Sequence, residues 1–158
     1  DSGKTTTLIL TTLQKLKCEM VGNAPRAVIL VEDREKALEL YDAFIKHTKY
    51  NSLRVYASYE QLHIDMQKSE IFEGIDILIS TPKTMNKLMS LNGVSTSQLM
   101  IFSIDDAEFL VQKSSYTAIM SITQSINKCQ FVLYSEKMHP ILKRFKSYFM
   151  EHSKIVTI

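Results

Sequence analysis

Six short apolar runs, each separated from the next by an amphipathic stretch, constrain this chain more than any other feature. They cover residues 27–32, 53–57, 75–80, 100–104, 130–135 and 154–158. Several are continuously apolar and rich in β-branched residues, as strands buried on both faces are, rather than alternating polar with apolar. Such strands need helices over them, and the intervening segments have the right periodicity. Helices are expected over residues 3–20, 34–48, 59–71, 83–90, 115–127 and 141–151. In the second, Ala37, Leu38, Tyr41, Phe44 and Ile45 recur at helical spacing and predict one buried stripe. Pro82 suits the first turn of the helix that follows its strand. Right-handed crossovers then build a mainly parallel sheet flanked by helices, a three-layer α/β sandwich. The chain has 158 residues, about the size of one compact domain, and no linker or repeat divides it. We read residues 1–158 as a single domain.

In open parallel sheets ligands bind at the carboxyl ends of the strands. Polar residues gather there: Glu32-Asp33-Arg34, Ser80-Thr81-Pro82, Asp105-Asp106 and Ser135-Glu136-Lys137. The first expected helix opens with Ser2-Gly3-Lys4-Thr5-Thr6. A helix N-terminus presents unpaired N–H groups and a positive dipole end to an anion. In a phosphate-binding reading Lys4 reaches terminal phosphates and the Thr5 hydroxyl ligates Mg²⁺. The plainer reading is an N-cap, with Ser2 starting a helix. Asp105 ends an apolar strand, as a carboxylate holding Mg²⁺ through its water shell does, and Asp106 could orient an attacking water. Their plainer reading is a pair of acids capping the next helix.

Composition narrows the alternatives. The formal net charge is only +2, so any basic surface is local. No apolar run approaches the ~18 residues that span a bilayer, so no membrane partner is expected. Cys18 and Cys129 lie far apart and read as reduced core thiols of a cytoplasmic protein. The four histidines lack ligand spacing, so no structural metal is expected. The cluster Lys143, Arg144 and Lys146 reads as a solvated helix face. Glycine is scarce, at four residues where ordinary usage would supply roughly 11.

Taken in order, these elements resemble the first RecA-like domain of DEAD-box RNA helicases along essentially the whole chain. The family's phosphate loop A-x-x-G-x-G-K-T is matched by Ser2-Gly3-Lys4-Thr5, and its P-T-R-E-L-A element by Glu32-Asp33-Arg34-Glu35-Lys36-Ala37. Its T-P-G-R stretch is matched by Thr81-Pro82-Lys83-Thr84, D-E-A-D by Asp105-Asp106-Ala107-Glu108, and S-A-T by Ser135-Glu136-Lys137. The resemblance implies a P-loop NTPase fold, with ATP bound by Ser2, Gly3, Lys4, Thr5 and Thr6. It implies Mg²⁺ held by Thr5 and, through water, by Asp105. Catalysis falls to Asp105 and Asp106, RNA contact to Arg34, Glu35, Thr81, Pro82 and Lys83, and coupling to Glu108, Ser135 and Lys137.

The departures from the family pattern sit at these same strand ends. Asp1 occupies a loop-glycine position, and Tyr56-Ala57-Ser58 stands where the family has a Gly-Gly pair. Lys83-Thr84 replaces Gly-Arg, removing a bidentate phosphate grip. Asp106 replaces a glutamate and is one methylene shorter; a misplacement of about 1 Å can cost 10²-fold in rate. Glu108 and Lys137 stand where the family has a hydrogen-bonded Asp and Thr, and either meet as an ion pair or remain two solvated charges. Asp1 either salt-bridges Lys4 in imitation of a phosphate or is a frayed chain start.

The resemblance implies a domain that couples ATP binding and hydrolysis to RNA remodelling with a second RecA-like domain or protein partner. Without that second domain the chain is expected not to unwind RNA and to hydrolyse ATP very slowly. The competing reading is a degenerate, non-catalytic RecA-like module that binds RNA or a protein partner.

Overall fold

The computed structural model describes residues 2–126 and 129–149. The alternation of elements is complete over that range. Helix α1 (Ser2–Lys15) is followed by β1 (Ala27–Leu30), α2 (Arg34–His47), β2 (Val55–Ser58), α3 (Ile64–Glu73), β3 (Ile77–Ser80), α4 (Pro82–Ser90) and β4 (Ile101–Ile104). A 3-10 turn (Ala107–Val111), α5 (Lys113–Gln124), β5 (Gln130–Leu133) and α6 (Pro140–Phe149) complete it. The expected strand over 154–158 lies outside the described residues, as do the ends of the last two expected helices.

All four strand pairings are parallel, and the order across the sheet is β2-β3-β1-β4-β5. Every residue of β1, β3 and β4 is buried, which is why those segments read as unbroken apolar runs. Successive side chains leave a strand on opposite faces, so each central strand feeds two cores. Val28, Leu30, Leu78, Phe102 and Ile104 face one layer, with Met85 and Leu88 of α4, Ile119 and Ile122 of α5, and Phe145 of α6. Ala27, Ile29, Ile77, Ile79 and Ile101 face the other, with Leu8, Ile9 and Leu13 of α1 and Ala37, Leu40 and Phe44 of α2. Phe44, Phe102 and Phe145 are fully buried anchors of these layers, each contributing roughly 1.5–3 kcal/mol of apolar burial.

The helix after β1 therefore covers one face and the helix after β4 covers the other. The two strands are neighbours, so chain progression reverses between their carboxyl ends. That crevice is the topological switch point of the sheet, where doubly wound folds place their ligands.

Several boundaries differ from expectation for local reasons. Helix α1 stops at Lys15 because the chain turns left-handed at Lys17 (φ 56°) and Cys18 (φ 53°). Cys18 is consequently exposed rather than a core thiol, and Cys129 is half-buried; both are free. Helix α3 begins at Ile64 because residues 59–62 form a turn, tied down by the buried Gln67 amide donating to the carbonyls of Tyr59 (3.3 Å) and Leu62 (3.0 Å). On α2 the buried stripe is Ala37, Leu40 and Phe44, with Leu38 and Tyr41 at its margins and Ile45 exposed. Asp33 caps this helix, its carboxylate accepting from Lys36 N at 3.0 Å. Pro82 does occupy the first turn of α4, with Thr81 as N-cap.

The amino edge of the sheet is held by one carboxylate. Asp76, with a fully buried side chain, accepts from Arg26 Nη2 (2.8 Å), Arg54 Nε (3.0 Å), Arg54 N (2.9 Å) and Val21 N (3.2 Å). Gly74 ends α3 beside this network at φ 122°, a conformation that side-chain-bearing residues avoid. A Cβ there would fall on the Arg54 guanidinium and 2.8 Å from Asn23 Oδ1. Gly74→Ala is expected to lower stability by about 2–4 kcal/mol through backbone strain and displacement of Arg54. Urea titration followed by circular dichroism reads that loss, and a midpoint unchanged from the parent's would contradict it.

Candidate nucleotide-binding site

The first turn of α1 lies against the carboxyl end of β4. Lys4 projects from that turn with its side chain 14% exposed, and its Nζ lies 3.0 Å from Asp106 Oδ1 and 3.5 Å from Glu136 Oε1. Burial opposes the ammonium charge. The hydrogen bond and charge of Asp106, with Glu136 and Glu108, outweigh it and hold Lys4 above the usual lysine range.

Asp105 is fixed just beyond β4, its N–H donating to Leu30 O of β1 at 2.9 Å. Burial and then the neighbouring Asp106 charge push its carboxyl up, against the opposing pull of Lys4. Among the described residues no side chain donates a hydrogen bond to that carboxylate. Asp106 takes a left-handed backbone (φ 48°, ψ 56°), which aspartate tolerates better than most residues. The bend turns its carboxylate towards Lys4 instead of continuing the strand. The Asp105–Asp106 pair therefore faces the N-terminus of α1 and does not cap the next helix; Asp106 makes no side-chain cap hydrogen bond to the 3-10 turn.

Beside it, Glu108 gathers the turn after β5. Its Oε2 accepts from Glu136 N at 2.6 Å and Lys137 N at 3.4 Å, and lies 3.0 Å from Ser135 Oγ. Ser135 Oγ is also 2.6 Å from Lys137 O, so its single proton serves one acceptor at a time. Burial opposes ionisation, but its own backbone N–H and then these donors of the turn hold the Glu108 carboxyl below its ordinary range. Of the two readings of Glu108 and Lys137, the ion pair does not form among the described residues. Lys137, whose side chain is exposed, reaches Glu108 through its backbone N–H, because backbone donors and a serine hydroxyl take the carboxylate. The Asp1–Lys4 contact lies outside the described residues.

A second cluster lines the carboxyl ends of β2 and β3. Thr81 and Thr84, both buried, donate their hydroxyls to Glu60 Oε1, Thr84 at 3.0 Å. The Arg34 guanidinium stacks 5.8 Å from the ring centroid of Tyr59. Glu35 and Lys83 are exposed and Pro82 is buried.

The family model for DEAD/DEAH box helicases matches residues 2–142. The chain belongs to the DEAD/DEAH box helicase family. The ATP-dependent RNA helicase dbp3 of Emericella nidulans is 25% identical to it over 162 residues, covering 99% of this chain and 33% of that protein. The ATP-dependent RNA helicase DeaD of Buchnera aphidicola is also 25% identical, over 99% of this chain and 26% of its own length. The chain thus spans between about a quarter and a third of these relatives. The yeast DEAD-box splicing factor Prp28 superposes with a TM-score of 0.83 at 18% identity, covering 94% of this chain and 38% of that one. Dbp5 of S. cerevisiae, solved bound to RNA and ADP BeF3, superposes at 0.78 with 20% identity over 92% of this chain and 37% of its own. The fold is the RecA-like one, in the form of this family's N-terminal domain.

In this DEAD-box domain the donor set suits a magnesium nucleotide. Lys4 offers a cation that suits an anionic ligand, and Thr5 and Asp105 offer the hard oxygen donors that Mg²⁺ prefers. No protein hydrogen bond among the described residues engages the Thr5 hydroxyl, and the raised Asp105 carboxyl would be relieved by a nearby cation. Two participants escaped the sequence reading. Glu136 was visible as a strand-end residue, yet nothing in the sequence shows that it reaches Lys4. Glu60 follows the family's Gly-Gly position, and its grip on two threonines depends on the turn that Gln67 fastens.

Proposed function

We propose that this domain binds ATP with Mg²⁺ at the N-terminus of α1, through Ser2, Gly3, Lys4, Thr5, Thr6 and Asp105. Within a longer protein it works with a second RecA-like domain or protein partner to couple ATP binding and hydrolysis to RNA remodelling. The observation that carries this reading is the convergence of Lys4, Asp105 and Asp106 at the switch point of the sheet. When bound, Mg²⁺ neutralises phosphate charge. Lys4 grips the terminal phosphates, and Asp106, held by its left-handed backbone, is placed to orient water. Arg34, Glu35, Thr81, Pro82 and Lys83 form the RNA-facing side, and Glu108 ties Ser135 and Lys137 to the nucleotide edge. A cytoplasmic setting belongs to the proposal and fits the two free cysteines. No helix among the described residues is long and apolar enough to cross a membrane.

Titration calorimetry with ADP tests the site. Saturable binding that weakens when Mg²⁺ is withdrawn is expected. The absence of binding at millimolar nucleotide would replace this reading with a non-catalytic module that takes RNA or a protein partner. Hydrolysis by the domain alone is expected to be very slow, since an arginine finger from elsewhere is worth about 10³–10⁵ in rate.

A further inference from the structure

Lys4 is shared between two carboxylates of different standing. Asp106 is part of the strand end, anchored by its backbone at the tip of β4. Glu136 comes from the turn after β5, with its side chain 62% exposed, and makes no other ion pair among the described residues. Its backbone is nevertheless fixed, because its N–H donates to Glu108 Oε2 at 2.6 Å. The turn therefore holds an exposed carboxylate 3.5 Å from the ammonium that a phosphate would have to reach.

We propose that Glu136 sets the phosphate affinity of this domain by competing with the terminal phosphates of a nucleoside di- or triphosphate for Lys4. The inference rests on the nucleotide reading of the site and adds a residue that the reading does not use. An ammonium has three protons; Lys4 donates one to Asp106 Oδ1 at 3.0 Å, and Glu136 Oε1 stands 3.5 Å away. An incoming phosphate displaces the weaker partner first. Glu136 is the weaker, being farther away, more exposed and free to rotate about its side-chain bonds. Its displacement leaves the Glu108 hydrogen bonds to the turn intact, because they use the backbone of Glu136 and not its carboxylate.

The test compares ADP·Mg binding by the parent, Glu136→Gln and Asp42→Asn, a remote exposed carboxylate on α2. Glutamine keeps the size and the backbone N–H of Glu136 and removes the charge. Glu136→Gln is expected to bind about two- to fivefold tighter at low salt, the range an exposed ion pair can contribute. Asp42→Asn is expected to match the parent, and the gain to shrink at high salt. Equal affinity in parent and Glu136→Gln overturns the role of Glu136 while leaving the nucleotide site standing. A gain that Asp42→Asn shares, or one insensitive to salt, also overturns it. Absence of binding in both parent and Glu136→Gln removes the inference together with the nucleotide reading.

Discussion

Lys4→Ala is expected to weaken ADP·Mg binding by about 10²-fold or more, while leaving the fold in place. In the proposed nucleotide site the lysine is the cation that meets phosphate, and it is mostly buried between Asp106 and Glu136. Truncating one partner of a largely desolvated charge contact costs about 2–5 kcal/mol, and tenfold in affinity corresponds to about 1.4 kcal/mol. The loss has a second source here. With Lys4 gone, Asp105, Asp106, Glu108 and Glu136 face the phosphate site without their shared cation, and the field there turns repulsive to an anion. Calorimetric titration of parent and variant reads the effect. A variant that binds within threefold of the parent would separate Lys4 from the nucleotide. Lys4→Arg is a useful companion, because it keeps the charge and changes only shape.

The largest effect on stability is expected at the opposite edge of the sheet. Asp76→Ala removes the acceptor for two guanidiniums and two backbone N–H groups at once. Arg26 is itself buried, so the variant leaves a buried cation without its counter-charge. Such a break costs about 3–5 kcal/mol, which lowers the melting temperature by roughly 6–20 °C in a domain of this size. The pH dependence follows from the direction of the shift. Burial raises the Asp76 carboxyl, but hydrogen bonds from Arg54 and Arg26, then from the backbone of Arg54 and Val21, outweigh it and hold it below its ordinary 3.8. A carboxyl depressed in the fold stabilises fully above its unfolded value and loses that contribution as pH falls through the folded one. The stability gap between parent and Asp76→Ala should therefore be widest near neutrality and shrink below about pH 4. Urea melts at two pH values measure it, and a gap that widens in acid would show that the clamp does not act through charge.

These two residues also mark how far the sequence could be read. Lys4, Asp105 and Ser135 could be placed on one edge from motif order alone, because a parallel sheet aligns its strand ends whatever the loops do. Asp76 could not be singled out, since a lone acid before an apolar run has no signature until its partners are known. Its ligands come from residues 21, 26 and 54, which are brought together only when β1, β2 and β3 pair. Periodicity puts Ile45 in the buried stripe and leaves out Leu40, whereas Leu40 is buried and Ile45 exposed. Periodicity marks an apolar face, but packing against the neighbouring layers sets its centre. The choice between the two readings of Glu108 and Lys137 was hidden for a related reason. The family resemblance pairs these two positions, and the turn decided that backbone N–H groups, not the ammonium, would meet the carboxylate.

The sequence by itself determined the layer architecture, the element order and the family, because burial on two faces and strand-end chemistry are written locally in residue type and period. Only the tertiary structure decided which charges oppose one another. Glu136 meets Lys4, Glu60 takes the hydroxyls of Thr81 and Thr84, and Asp76 binds two arginines. Each of these contacts joins segments far apart in the chain. Its distance is set by the course of a turn and the rotation of a helix, which depend on packing and not on local sequence.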